Sequence, residues 1–184
     1  MDSDLREEIF SILKASGEMT VATVRPDGYP QATTVNYVSD GLVIYFGCAA
    51  ESQKVRNIAC NDKVSLTVTL PHFSWEDIRA LSIGGRAAPV TDAQEISRVS
   101  ELMLRKSPQI LRYALTGKKG VFLVRIIPEV ISVLDYRKEF GHTDLVKIRW
   151  VTTPRPERGA TLGPTALKRT CCSAHSRSSV SLRR

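Results

Sequence analysis

The chain has 184 residues, 42% hydrophobic and 24% charged, which suits one globular domain with a real core and no more. It holds no run of about 18 apolar residues, so no membrane span is expected. The net charge of +7 looks like an invitation to nucleic acid, but residues 1–148 hold 18 Lys+Arg against 18 Asp+Glu, while 149–184 hold 8 against one.

The basic excess therefore belongs to a tail. "PRPERGATLGPTALKRTCCSAHSRSSVSLRR" is rich in Pro, Gly, Ser, Thr and Arg and has no hydrophobic period. Such a stretch cannot bury enough surface to offset its ordering entropy. A domain over 1–150 followed by a disordered basic tail over 151–184 is the expected organisation. A solvated extension explains the tail without nucleic acid, because no aromatic residues are interleaved with the charge. The N-terminal "MDSDLREEIF" is acidic and amphipathic, unlike a secretory signal, so a cytoplasmic protein with reduced cysteines is expected. The cysteines at 48, 60, 171 and 172 match no zinc spacing, and no metal site is expected.

In chain order, Leu5, Ile9, Ile12 and Leu13 recur at helical spacing, with Asp4 to cap and Gly17 to stop. Three β-rich runs follow, separated by "RPDG" and "SDG", which predicts an antiparallel meander with a type I turn at 25–28. A short helix over 52–60 buries Val55, Ile58 and Ala59. The strand "KVSLTVTL" precedes an aromatic loop, "PHFSWED". A strand over 79–90 carries Gly84 and Gly85, the mark of a bulge. Residues 92–116 read as a helix opened by "TDAQE" and broken by Pro108; "GKKG" at 117–120 is a turn. "GVFLVRIIP" and "EVISVLDYR" read as two closing strands. The sum is a mainly β chain with α elements (α+β): a six- to seven-stranded antiparallel small β-barrel with flanking helices. No "GxGxxG" after a strand and no "GKS" or "GKT" occurs, which excludes a Rossmann unit and a P-loop.

One stretch, "YFGCAAESQKVRN" over 45–57, is unusual. Its helix opens with Ser52, Lys54 and Arg56, and cations sit badly at a helix start that is already partly positive. A bound anion would reverse that penalty, held by free N–H groups, Ser52 and Lys54. Small residues from Gly47 to Ala50 would let a flat ligand approach the backbone. Thr33, Thr34 and Asn36 on the neighbouring strand offer partners for a polar ring edge. A phosphate joined to a planar heteroaromatic describes flavin mononucleotide (FMN). The plainer alternative is Ser52 as an N-cap, with Lys54 and Arg56 solvated.

The run "TVRPDGYPQATTVNYVSDGLVIYFGCAAESQKVRNIACNDKVSLTV" resembles the core of the pyridoxamine 5′-phosphate oxidase-like family of FMN-binding split barrels. "LSIGGRAAPVTD" and "VISVLDYRKEFGHTDLV" are similar to later strands of one bacterial branch. The resemblance covers about residues 5–147. It implies an FMN cofactor, with Gln31, Ala32, Thr33, Thr34, Val35 and Asn36 lining the ring. Gly47, Cys48, Ser52, Gln53 and Lys54 then hold the phosphate. It also implies a homodimer with two flavins at its interface. Members that oxidise the vitamin carry basic residues where Gln31 and Gln53 stand, a lysine at Asn36, and a C-terminal segment with Trp and Arg. Here only the tail follows Trp150, so the resemblance implies a flavin reductase or generic FMN-dependent oxidoreductase on a small-molecule substrate. Some relatives prefer a deazaflavin or haem, and a non-catalytic flavin or haem carrier is the alternative of a different class.

No residue is expected to act as an acid or base, because a flavin carries the redox chemistry itself. His142 and Asp144 lack a "GxSxG" serine to complete a triad, and His142 reads as a loop or interface residue. Cys48 is either a reactive thiol at a helix start or a small side chain that suits close packing. Phe73 and Trp75 either cover the ring or pack a dimer.

Overall fold

The computed structural model describes residues 2–109 and 121–150 of the chain. Helix α1 (Ser3–Ala15) buries Ile9, Ile12 and Leu13 on one face, as their spacing requires. Asp2 rather than Asp4 occupies its N-cap. Asp4 lies inside the first turn, where a carboxylate still faces the positive helix end. The helix stops at Ser16, whose extended backbone (φ −88°, ψ 140°) leads into strand β1 (Glu18–Val24).

Strands β1, β2 (Pro30–Asp40) and β3 (Val43–Ala49) form the expected meander. At its first turn the Gly28 N–H donates to the Arg25 carbonyl at 2.8 Å, with Gly28 at φ +86°. A side chain there would be strained, so the turn fixes glycine at the fourth position. Helix α2 (Gln53–Cys60), strand β4 (Lys63–Thr69) and a short 3₁₀ turn over Trp75–Asp77 come next. Strand β5 (Arg79–Pro89), helix α3 (Ala93–Lys106), strand β6 (Val121–Asp135) and strand β7 (Thr143–Lys147) complete the described chain.

The sheet order is β3-β2-β1-β4-β5-β6-β7, and a further β3–β6 pairing closes the first six strands into an antiparallel barrel. β7 is an extra strand on β6, and the three helices lie against this frame. The fold is mainly β with α, a split barrel. Val21, Ile44, Phe46, Val68, Leu81, Ile83, Val124, Ile126, Ile131 and Val133 fill its interior. Alternation along the strands produces this face, and their burial is the main driving force for folding. Among the described residues, no helix is long and apolar enough to cross a membrane.

Two sequence expectations need correction. The closing pair of strands is one strand of 15 residues, β6, with Pro128 inside it. Pro128 lies opposite Gly85, where the β5–β6 register shifts, so its missing N–H falls where the ladder is already irregular. β6 is long because it serves two neighbours in turn: Val121–Ile126 pair with β3, and Val130–Leu134 with β7. That leaves β7 as a strand of its own, formed by residues read above only as part of a family-like segment. Helix α3 begins as "TDAQE" suggests, with the Glu95 N–H donating to the Asp92 side chain at 2.8 Å. It ends at Lys106, two residues ahead of Pro108. The expected helix beyond residue 109, the turn at 117–120 and the tail over 151–184 lie outside the described residues.

β6 ends on a buried carboxylate. Asp135 accepts from Arg137 Nε at 2.8 Å, from Arg137 Nη2 at 2.7 Å and from the Arg137 N–H at 3.1 Å. Hydrogen bonding to the Arg137 side chain, reinforced by the backbone N–H, holds the Asp135 carboxyl well below the usual carboxylate range. A depressed folded-state pKa contributes stability above the unfolded value of about 3.9 and loses it as pH falls toward the folded value. Urea midpoints are therefore expected to hold between pH 7 and pH 5 and to fall below about pH 4. This pair should account for on the order of 1–2 kcal/mol of the drop, screened because Arg137 is half exposed. Asp135→Asn should flatten that part of the acid limb; an identical limb in the variant would show that the pair contributes nothing.

Candidate functional site

The barrel is closed unevenly between β2 and β3. Tyr37–Asp40 pair with Val43–Phe46, but beyond Tyr37 the two strands part. Pro30–Asn36 pair with β1 alone, and Gly47–Ala49 pair with β6 alone. Two strand edges thus lack a strand partner on the sides facing the split, among the described residues. Unpaired backbone donors and acceptors at such an edge call for a ligand, water or another chain. All eleven candidate residues lie on the two diverging strands or at the start of α2, which follows β3.

Strand alternation divides them. Gln31, Thr33 and Val35 are half-buried on the interior face, while Ala32, Thr34 and Asn36 are exposed on the outer face. The six do not present one surface, as lining a single ring would require. Thr34 also borders an open outer cavity of about 490 Å³, with Thr20, Thr67, Thr69 and Glu18 on its wall. On β3, Cys48 follows Ile44 and Phe46 and packs against the core. Gly47 has a close packing neighbour. A Cβ there would stand 2.9 Å from Val121 Cγ1 on β6, so its size suits strand pairing whether or not a ligand approaches.

The start of α2 leaves donors free, though not in the expected way. Ser52 is the N-cap, yet its hydroxyl does not cap; it donates to Cys48 Sγ at 3.6 Å. The N–H groups of Val55 and Arg56 donate to the Ser52 carbonyl, at 3.1 and 3.4 Å. The first two amides of the helix, those of Gln53 and Lys54, have no acceptor among the described residues. Lys54, a half-buried residue, likewise has no carboxylate partner for its ammonium among them. Two free amides and one unpaired cation in consecutive residues fit an anionic group.

Gln31 and Gln53, distant in sequence, are joined through a residue the sequence did not single out. Asn57 is fully buried. Its Oδ1 accepts from Gln53 Nε2 at 2.9 Å, and its Nδ2 donates to Thr23 Oγ1 at 2.9 Å and to Gln31 Oε1 at 3.0 Å. The signal was present: Asn57 falls four residues after Gln53 and directly before Ile58, a polar residue inside an apolar stripe. The network ties the start of α2 to the first residues of β2 and the last of β1.

The remaining candidates lie elsewhere. His142 Nε2 stands 3.0 Å from Asp144 Oδ2, which also accepts from Lys138 Nζ at 3.1 Å. Hydrogen bonds from His142 and Lys138 hold the Asp144 carboxyl below the usual range, and the group serves an ion-pair cluster on the surface. Phe73 is fully exposed, whereas Trp75 stacks on Phe140 at 6.1 Å between ring centroids.

A family model described as pyridoxamine 5′-phosphate oxidase matches residues 5–134. The chain belongs to this family. Among solved structures it is similar to Rv2991, a conserved hypothetical protein of Mycobacterium tuberculosis. The two share 26% identity over 75% of this chain and 87% of that one, with a TM-score of 0.63. It is also similar to a haem-binding protein from Mycobacterium smegmatis, at 16% identity over 80% of this chain and a TM-score of 0.67. There it spans 59% of the other chain's length. HutZ, a haem storage protein of Vibrio cholerae, shares 19% identity over 67% of this chain and 89% of its own, with a TM-score of 0.58. These last two likenesses concern the fold. No curated protein matches the chain.

Proposed function

We propose that this member of the pyridoxamine 5′-phosphate oxidase family binds FMN in the β2–β3 split. It would act as an oxidoreductase between a nicotinamide or other small donor and a small-molecule acceptor. The observation that carries this reading is the start of α2, where among the described residues the amides of Gln53 and Lys54 have no acceptor and the Lys54 ammonium has no carboxylate partner. Those groups would hold the phosphate, and the open lip of β2 would meet the ring. When bound, the flavin supplies hydride and electron transfer. The chain's part is to bind and orient it: Lys54 by charge, Asn57 by fixing the two glutamines, Phe46 and Val35 by excluding water from the core side. No side chain of this chain is asked to move a proton. Neutral Gln31 and Gln53 leave Lys54 as the half-buried cation at the start of α2, with Arg56 exposed and turned to Gln53. That argues against a site built for two phosphates, cofactor and vitamin together. A homodimer, with each flavin completed by the second copy, is part of the same proposal.

The second reading, a non-catalytic flavin or haem carrier, draws on the likeness to proteins named for haem binding and storage. One set of measurements separates the two. The purified protein is expected to show flavin absorbance and to turn over NADH or NADPH repeatedly with a quinone or nitro acceptor. Flavin that is reduced only stoichiometrically would leave the carrier reading. A haem spectrum on titration, with no response to FMN, would overturn the cofactor.

A further inference from the structure

The amide network beside α2 has a direction, set by groups that can act in one way only. A guanidinium donates and never accepts, so Arg56 Nη2 requires Gln53 to turn Oε1 toward it, at 3.2 Å. Gln53 must then offer Nε2 to Asn57, whose Oδ1 accepts. Asn57 keeps its two N–H donors for the far side and gives one to Thr23 and one to Gln31 Oε1. Thr23 agrees from the opposite end. Its hydroxyl proton goes to the Gln31 carbonyl at 3.4 Å, which leaves its oxygen to accept from Asn57. With Oε1 taken, Gln31 retains one unused group. Its Nε2 has no acceptor among the described residues and is not sealed from solvent.

We infer that Arg56 is a positioning residue. Acting through Gln53 and Asn57, it holds Gln31 with Nε2 outward and so presents a neutral donor at the β2 lip for an acceptor oxygen of the ligand. A neutral donor suits the half-buried place of Gln31, because a cation would have to be desolvated there. The identity of that ligand rests on the flavin reading above; the direction of the network does not.

Arg56→Glu tests this by replacing an obligate donor with an obligate acceptor. Gln53 then turns Nε2 to the introduced carboxylate, Asn57 turns Oδ1 toward Gln31, and Gln31 is left with Oε1 outward. A carboxylate in the first turn of α2 complements the helix dipole, so the variant is expected to fold. Arg56→Met removes the charge without reversing anything, and Arg56→Lys keeps a donor.

Heteronuclear NMR of the ligand-free chain follows the Gln31 side-chain amide, identified by its loss in Gln31→Glu. That amide is expected to exchange rapidly with solvent in the native chain and in Arg56→Lys, and to be protected in Arg56→Glu. FMN should bind roughly 10- to 100-fold more weakly to Arg56→Glu, as a hydrogen bond to a charged or carbonyl oxygen gives way to two facing acceptors. Arg56→Met should lose only about threefold, since its charge is exposed and screened. An unmoved Gln31 amide in Arg56→Glu overturns the inference. So does a loss in Arg56→Glu that is just twice the Met loss on a logarithmic scale, the mark of charge alone. Should FMN bind no form of the protein, the flavin reading fails, and the ligand-free amide still decides the relay.

Discussion

Gly85→Ala is expected to destabilise the fold by about 3 kcal/mol, the upper end for forcing an atom into a filled space. A Cβ at residue 85 would stand 2.5 Å from the Ile127 carbonyl oxygen and 3.1 Å from both Ile127 C and Pro128 Cα. These are backbone atoms of the neighbouring strand, so no rotamer change relieves the clash. Gly84 makes a control one residue away. There a Cβ would meet Val130 Cγ1 at 2.9 Å, the end of a side chain that can turn, and about 1 kcal/mol is expected. Urea unfolding of both variants with unchanged slopes gives the comparison directly. Equal losses at the two positions would show that the β5–β6 contact yields more easily than this packing implies. The consequence reaches the site, because β6 passes from β3 to β7 beside this bulge, and its first half carries the β3 edge of the split.

The barrel was legible because its signals are local. The turn residues at 25–28 and 39–41 and the alternation in "KVSLTVTL" each specify their own element, and the paired glycines mark the bulge that occurs. Pro128 misled for the same reason: taken alone it breaks a strand, and only its partner Gly85 shows why it is tolerated. The elements around the candidate site were legible in outline, since the family-like run spans β2, β3 and α2. Its inner logic was not. A glycine at 47 says that something comes close, but not whether a ligand or Val121 does so. Gln31 and Gln53, neutral where the resemblance led one to look for charge, look like losses. That they join through Asn57 and Thr23 depends on contacts 26 to 34 residues apart in the chain, which no periodicity encodes. Ser52 fell correctly at the N-cap, but the hydroxyl's choice of Cys48 over the helix amides is a matter of tertiary geometry.

That choice sharpens what is expected of Lys54. With the Ser52 hydroxyl turned to Cys48, the Gln53 and Lys54 amides have no acceptor among the described residues, so an anion arriving there gains two N–H donors and the Lys54 ammonium together. Lys54→Ala should remove a charge-assisted contact worth on the order of 1.5–3 kcal/mol, hence roughly 10- to 150-fold of FMN affinity. The fold should hardly change, since among the described residues Lys54 has no ion pair to lose. Ser52→Ala should do little to the helix, where a capping serine would cost about 1 kcal/mol. Among the described residues its hydroxyl makes only the 3.6 Å contact with Cys48 Sγ. Riboflavin carries the ring without the phosphate, and its affinity should be nearly indifferent to Lys54→Ala. Raising the salt should weaken FMN more than riboflavin, and the difference should shrink in the variant, because the screened partner is gone. Fluorescence titrations of both flavins against native chain and variant supply all four affinities. If FMN and riboflavin lose equally, Lys54 supports the fold rather than the phosphate; if neither changes, the anion site lies elsewhere and Lys54 is a solvated cation at a helix start, where its charge is mildly unfavourable.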